Sequence, residues 1–538
     1  MNATWNYAQG SYQLDEQKSV SYTRRDLVFS LLFLLFGYLC ANALPFRRYP
    51  LALFLLSLSL LALTACYYGK AFFSKTFFSK GARSLVILAA YFLHTAVYLT
   101  SANATLRFVT VWLQLILLAA FWYDRARLRE NPLHDAKALL CLKEALYGYL
   151  VRYGALFGAL KENLGKGERA KKGWRTVGLS LIGLIVAILP TLVIGLLLSY
   201  DNAFTSLLDS IFDFSFDNIF ETVYELIFGI LIAAALFSLI RFAKDGFVRT
   251  EKGDESSSHS EYKRFSVPRP ILYAAVTPIL VLYALFFFSQ KDYYLSAFTK
   301  TLPEGFTYAA YARDGFFQLC IVACLNAVIL LTFTYLIKKQ DTSREILCRI
   351  YSAVLSLFTL ILIATALSKM VLYIGSYGLT HKRVYASWLI LLLGVLFLLF
   401  LIKQLARKLP VMKCSAVIFL SFFLLIALPN TDAIIANYNV DRYLDQSLDR
   451  VDVNELSSLG ISSVEARLRL EAYWLSECDP LGHSTLTEEE KKTLDSLSKS
   501  LDLTKEELDT SFFAFSIPNE RAKRLLEERD SESYDPLS

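Results

Sequence analysis

Charge is what this chain has least of. Of its 538 residues only 19% are Asp, Glu, Lys or Arg, whereas 55% belong to the apolar set and the mean hydropathy is +0.41. Soluble domains carry about 25% charge and about 45–50% apolar residues, so a particle of this size surrounded by water is excluded. Histidine is scarce too, at 5 residues. The cysteines at 40, 66, 141, 320, 324, 348, 414 and 478 form no C-x-x-C pair and lie mostly in apolar runs, which points to neither a disulfide framework nor a zinc site. A Walker loop, G-x-S-x-G, H-E-x-x-H and a Gly-rich dinucleotide turn are all missing, so no motif-bearing enzyme class is indicated. No catalytic residue, metal or cofactor is expected.

What is present is a succession of apolar runs near 27–44, 51–68, 84–100, 106–123, 177–199, 219–240, 271–289, 316–337, 350–373, 385–402 and 411–428. Backbone N–H and C=O groups in a bilayer must pair within the segment, and about 20 apolar residues carry a helix across. The expected fold is therefore all-α, a polytopic transmembrane helix bundle of about eleven spans over 1–430. Residues 431–538 follow as a small acidic helical segment. Within 441–538 there are 23 Asp/Glu against 12 Lys/Arg, a net −11, which leaves +17 on residues 1–440. That basic excess lies in membrane-proximal loops, the pattern of membrane orientation and not of a nucleic-acid face.

Alternate loops hold the Lys and Arg residues: Arg24/Arg25, Lys70 to Arg83, the 124–176 segment, Arg241 to Arg269, Lys338 to Arg344 and Lys403 to Lys408. Their partners, such as 101–105 and 200–218, hold none. By the positive-inside rule the N-terminus is cytoplasmic and, with an odd span count, the C-terminal segment is extracytoplasmic. The expected setting is a bacterial cell membrane. Arg24-Arg25 ahead of a run ending in Ala41-Asn42-Ala43 also imitates a cleavable signal, and its removal would leave every later span oriented as before. Residues of about 134–165 carry Leu at helical spacing with Lys and Arg among them, an amphipathic helix that either lies on the cytoplasmic leaflet or packs against the ends of other spans. A polar linker occupies about 250–268. In the tail, Thr487-x-x-Glu490 and Thr504-x-x-Glu507 have capping-box spacing, and Pro518-Asn519-Glu520 reads as another helix start.

Charges inside apolar surroundings need partners, water or a ligand. Asp209, Asp213, Asp217, Glu221 and Glu225 recur every fourth residue, so a continuous helix would align them on one stripe. Arg313, Lys369 and Lys382/Arg383 are the basic residues expected on the same side. His94 is either a proton relay or a satisfied packing residue. Pro190 and Pro278 each free a backbone carbonyl, while Gly183-x-x-x-Ala187 and Gly229-x-x-x-Ala233 permit close helix contact.

Four segments carry a resemblance. These are Ser199-Tyr200-Asp201-Asn202-Ala203-Phe204, Thr307 to Phe317, Tyr373-x-x-x-Tyr377-Gly378-Leu379-Thr380-x-x-Arg383, and Asn437-Tyr438-Asn439-Val440-Asp441-Arg442-Tyr443, with Phe515-Ser516, Asn519 and Arg521-Ala522 in the tail. Together they resemble the bacterial membrane proteins grouped as domain of unknown function 4173, related to family 4153. That resemblance implies a fold and a setting but no activity. All four segments fall at the expected extracytoplasmic ends of their spans, which makes the outer face the expected working face.

The expectation drawn from these features is a non-enzymatic membrane protein with a transport or envelope role. Its outer-face pocket would bring Asp201, Arg313, Tyr377 and Arg383 together, with Glu221 or Glu225 near Arg313 or Lys369, to bind an ion, a proton or an anionic lipid. The partners expected are the bilayer and such a ligand, not nucleic acid. An accessory or sensory subunit of a larger complex is the alternative, followed by an enzyme acting on a lipid-linked substrate.

Overall fold

A computed structural model describes residues 3–6, 11–14, 22–43, 49–69, 82–126, 154–164, 216–251, 268–289, 316–335, 342–406, 409–476, 488–508 and 511–530. The described chain is helical, as expected, apart from a short antiparallel ribbon of β1 (Ala3–Asn6) and β2 (Ser11–Leu14), in which Trp5 faces Tyr12. The helices are α1 (Arg24–Asn42), α2 (Pro50–Tyr68), α3 (Ala82–Thr100), α4 (Ala104–Ala126), α5 (Ala155–Leu164), α6 (Phe216–Glu251) and α7 (Arg269–Ser289). They continue with α8 (Phe316–Tyr335), α9 (Thr342–Tyr377), α10 (His381–Leu405), α11 (Val411–Ala427), α12 (Thr431–Leu444) and α13 (Val453–Ser458). Last come α14 (Val464–Ser476), α15 (Glu488–Glu506) and α16 (Ile517–Arg529).

Every apolar run read from the sequence falls on one of these helices except 177–199, which lies outside the described residues. Among the described residues seven helices are long and apolar enough to cross a membrane, or eight if α11 and α12, bent by 55° at their junction, form one broken span. Two more, Leu85–Thr100 and Gln318–Thr332, are apolar but shorter. The linker near 250–268 and most of the amphipathic segment also lie outside the described residues. The chain divides into two compact units, one of residues 1–44, 56–80 and 144–248 and one of residues 45–55, 81–143 and 249–538.

In the first unit α1 and α6 touch backbone to backbone. A Cβ on Gly37 would stand 2.2 Å from the Gly229 carbonyl oxygen and 2.9 Å from the Ala233 Cβ, so the close contact expected of Gly229-x-x-x-Ala233 is made, with Gly37 as its other half. Beside it Phe33 packs edge-on against Phe237. Asp26 caps α1 through a box with Thr23 and is fully buried. Its Oδ1 accepts from the Tyr67 hydroxyl at 2.6 Å and pairs with the Arg241 guanidinium at 2.8 Å. Helix α5, the described end of the amphipathic segment, packs on the start of α1. The Tyr22 N–H donates to the Glu162 carboxylate and the Asn163 amide donates to the Thr23 carbonyl, which favours the helix-end reading of this segment.

The second unit is built around α8, α9, α10 and α11, whose core includes Leu330, Leu355, Phe397, Phe400 and Val411. Pro278 lies inside α7, as expected. Inside this apolar core a chain of polar side chains links α7, α8 and α9. The Tyr283 hydroxyl donates to Asn326, and Asn326 donates to Thr359 at 2.8 Å. The hairpin of α3 and α4 packs on α11 through Val97, Leu106, Leu113, Phe423 and Ala427. Past Asn430, which caps α12, the same unit continues into a helical domain centred on Ile435, Leu456, Leu470, Trp474 and Leu497. Helix α16 joins it through Ala522 and Leu526. Its start matches expectation, with Ser516 as N-cap and proline in the first turn. Thr504, expected to open a helix, lies instead in the last turn of α15. There its hydroxyl bonds the Ser500 carbonyl and accepts from buried Arg467, so the T-x-x-E spacing is a helix end and not a start. Burial in this domain lowers the Arg467 guanidinium to about 10.

Candidate functional site

Three helix starts in the second unit converge. Asn103 caps α4, its Oδ1 accepting from the N–H groups of Thr105 and Leu106 at 3.0 and 3.2 Å. Thr380 caps α10 by accepting from the Arg383 N–H, and Asn430 caps α12 by accepting from the Ala433 N–H. Each cap satisfies orphan donors of a first turn. The residue at or just after each cap then turns toward the other two. Asp432 is 5% exposed, and His381 Nε2 lies 2.7 Å from its Oδ1. The Asn103 amide, free to donate because its oxygen is spent on capping, reaches both Asp432 oxygens at 3.1 and 3.3 Å.

The carboxylate has further electrostatic company. Arg107, one turn into α4 and 1% exposed, donates from Nε to the Ser101 carbonyl at 2.8 Å and attracts Asp432 through space. Positive helix-start dipoles add to that attraction. The Tyr385 ring stacks on His381 at 5.8 Å, with its buried hydroxyl toward Asn103. Glu455 of α13 also acts electrostatically on the imidazole. The His381 side chain keeps 26% exposure against 7% for Asp432. The imidazole is therefore the member of the pair that solvent reaches, and the carboxylate beneath it is held in place from three directions. Among the described residues no group of three or more His, Cys, Asp or Glu is arranged to hold a metal ion.

Next to this cluster two of the sequence segments interlock. Gly378 adopts φ +72, and a Cβ there would lie 2.4 Å from Asn439 Oδ1, so glycine is needed both for the left-handed turn and for the approach. Asn439 takes the Leu379 N–H at 2.7 Å and gives to its carbonyl at 2.8 Å. Arg442 donates to the Ile374 carbonyl. Arg383 donates to the carbonyls of Tyr377 and Gly378, each at 2.7 Å, and lies 4.2 Å from the Tyr373 ring centroid. Much of the Tyr-Gly-Leu-Thr and Asn-Tyr-Asn sequence is thus a clamp that fixes the turn bearing His381.

Of the residues expected to form the pocket, Tyr377 and Arg383 meet here. Tyr377 exposes its ring, and Arg383 is turned to backbone carbonyls and an aromatic face. Lys369 is buried within α9. Glu225, in the first unit, accepts from the Asn42 amide at 3.0 Å. Glu221 lies on α6, and its side chain is outside the description, as are Asp201 and Arg313 altogether. His94 is buried, stacked on Phe423 and bonded through Nδ1 to the Ala90 carbonyl at 2.7 Å. The sequence reading singled out none of Asn103, Arg107, Tyr385, Asp432 and His381. The available signal was local: Asn, Thr or Asn standing just before an apolar or amphipathic helix in loops poor in Lys and Arg.

No curated protein and no solved structure matches the chain. The converging caps with Arg107 and Tyr385 all fall within residues 82–470, the stretch that matches the family described as Domain of unknown function (DUF4153), and the chain belongs to that family.

Proposed function

We propose that this is a non-enzymatic multi-pass membrane protein that binds a proton at the His381–Asp432 pair, on the extracytoplasmic end of the bundle. The observation that carries the reading is the buried Asp432 carboxylate, held by Asn103 and Arg107 beneath an imidazole that solvent reaches. Histidine is the side chain whose charge changes within the physiological range. Here that change occurs where three helix starts and the C-terminal domain meet, so a proton gained or lost alters the electrostatics of both. Among the ligands weighed from sequence, the ion or anionic lipid at Asp201, Glu221, Glu225, Arg313, Lys369, Tyr377 and Arg383 is the less supported, since Arg383 is spent on backbone carbonyls. Membership of the narrower 4173 group belongs to the same reading, through the Tyr377 to Arg383 segment.

The deciding measurement is the thermal stability of the protein in lipid nanodiscs across about pH 5 to 8. Wild type should show a step that H381Q lacks, and superimposable profiles would remove the proton site. The orientation is tested separately in intact cells, in a cysteine-free background. An impermeant thiol reagent should modify S457C and spare S256C, and the reverse pattern would move the site to the cytoplasmic side. A sensory role is favoured over transport by one feature, the ordered domain that packs Val384 and Leu379 of the site's own turn into its core.

A further inference from the structure

The C-terminal domain exposes one concentrated apolar feature. Phe512 is 73% exposed, Phe513 50%, Phe515 40% and Ile517 58%. The feature is rigid, because the alternate residues are anchored: Ala514 and Ser516 are buried, the Ala514 carbonyl accepts from the Asn519 amide at 2.7 Å, and Ser516 caps α16. Chain geometry therefore presses three phenyl rings and an isoleucine outward from a fixed turn.

The place of this turn names its occupant. Helix α16 touches α3, an apolar helix whose outer surface shows Val86, Phe92 and Leu93. The domain itself packs around Leu379 and Val384 at the start of α10, so it is seated at an end of the apolar bundle. Just beyond the rings α16 presents Lys523 and Arg524, with Arg521 paired to Glu465 at 2.6 Å, as basic residues in a tail whose net charge is −11. Aromatic side chains backed by Lys and Arg are the composition of a segment lying in the headgroup boundary, where rings enter the acyl edge and cations meet phosphates.

We propose that Phe512, Phe513, Phe515 and Ile517 insert into the bilayer that the bundle spans, so that the C-terminal domain rests on the membrane by a second attachment besides α11 and α12. This contact is independent of the protonation of His381. Full-length F513W, compared with wild type in nanodiscs of phosphatidylcholine and phosphatidylglycerol, tests it. The fluorescence added by the new indole should lose intensity when the lipids carry bromine on their acyl chains and should resist aqueous iodide. Quenching by iodide with indifference to brominated lipid would overturn the proposal. Indifference to both quenchers would overturn it equally, by placing the rings against protein, whether a second copy or another partner. F512W gives the same readout from the more exposed ring, so that poor expression of one variant leaves the test intact.

Discussion

The side-chain amide of Asn439 grips the backbone of Leu379 from both sides, accepting from its N–H at 2.7 Å and donating to its carbonyl at 2.8 Å. These two residues stand 60 positions apart, and the grip joins the turn before α10 to the middle of α12. N439A leaves both half-buried backbone groups without this partner, at up to about 1–3 kcal/mol each. N439D keeps the acceptor and should fall between. G378A forces a Cβ onto Asn439 and into a left-handed backbone that costs about 1–2 kcal/mol by itself. Its penalty should be smaller in N439A than in wild type, and equal penalties in thermal unfolding would mean that the contact does not matter.

Asp432 neutralises more than one group, which makes its removal worse than that of any partner. D432A takes the carboxylate from both His381 and Arg107, and removing one partner of a buried pair costs about 3–5 kcal/mol. H381Q should cost less. The cycle of single and double variants should return a coupling of about 0.5–3 kcal/mol, read from unfolding in detergent. Additive losses would mean that the two side chains merely lie close.

At the α1–α6 crossing the prediction is steric. G37A pushes a Cβ against the Gly229 carbonyl, and relief requires the helices to part, a cost of about 1–3 kcal/mol. Gly375 in α9 has open space where its Cβ would go, so G375A is the control and should be neutral or slightly stabilising. A ranking with G375A the worse variant would contradict the close approach.

Lys505 bonds the exposed carboxylate of Asp530 and holds it below the ordinary carboxylate range. A carboxyl with a lowered folded pKa adds stability above its unfolded value, near 3.9, and loses it as pH falls through the folded value. K505M should therefore differ from wild type at neutral pH and converge with it in acid. Because the pair is exposed, salt should shrink the difference. A gap that persists in acid would mean that Lys505 acts through packing.

The bundle was legible because apolar length is a one-dimensional property: a run such as 385–402 announces a helix whatever surrounds it. Gly229-x-x-x-Ala233 was legible for the same reason, as a small-residue face needing only its own helix, whereas Gly37 could not be paired with it from sequence. The polar cluster was not legible. Asn103, His381 and Asp432 each look like ordinary helix-start residues, and what makes them a site is the meeting of three starts, two of them 51 positions apart and the third 278 positions before the nearer. For Tyr377 and Arg383, charge alone suggested a ligand where the structure has Arg383 bracing a turn. Thr504 misled because a capping-box spacing is equally compatible with the last turn of a helix.

The 55° break between α11 and α12 has a consequence for biosynthesis. Asp432 lies just past that break and 329 residues after Asn103, so Arg107 is synthesised long before the carboxylate that attracts it. A chain cut at Asn430 keeps every apolar run and still lacks that carboxylate. The attraction between Arg107 and Asp432 thus becomes available only after every apolar run before Asn430 has been synthesised.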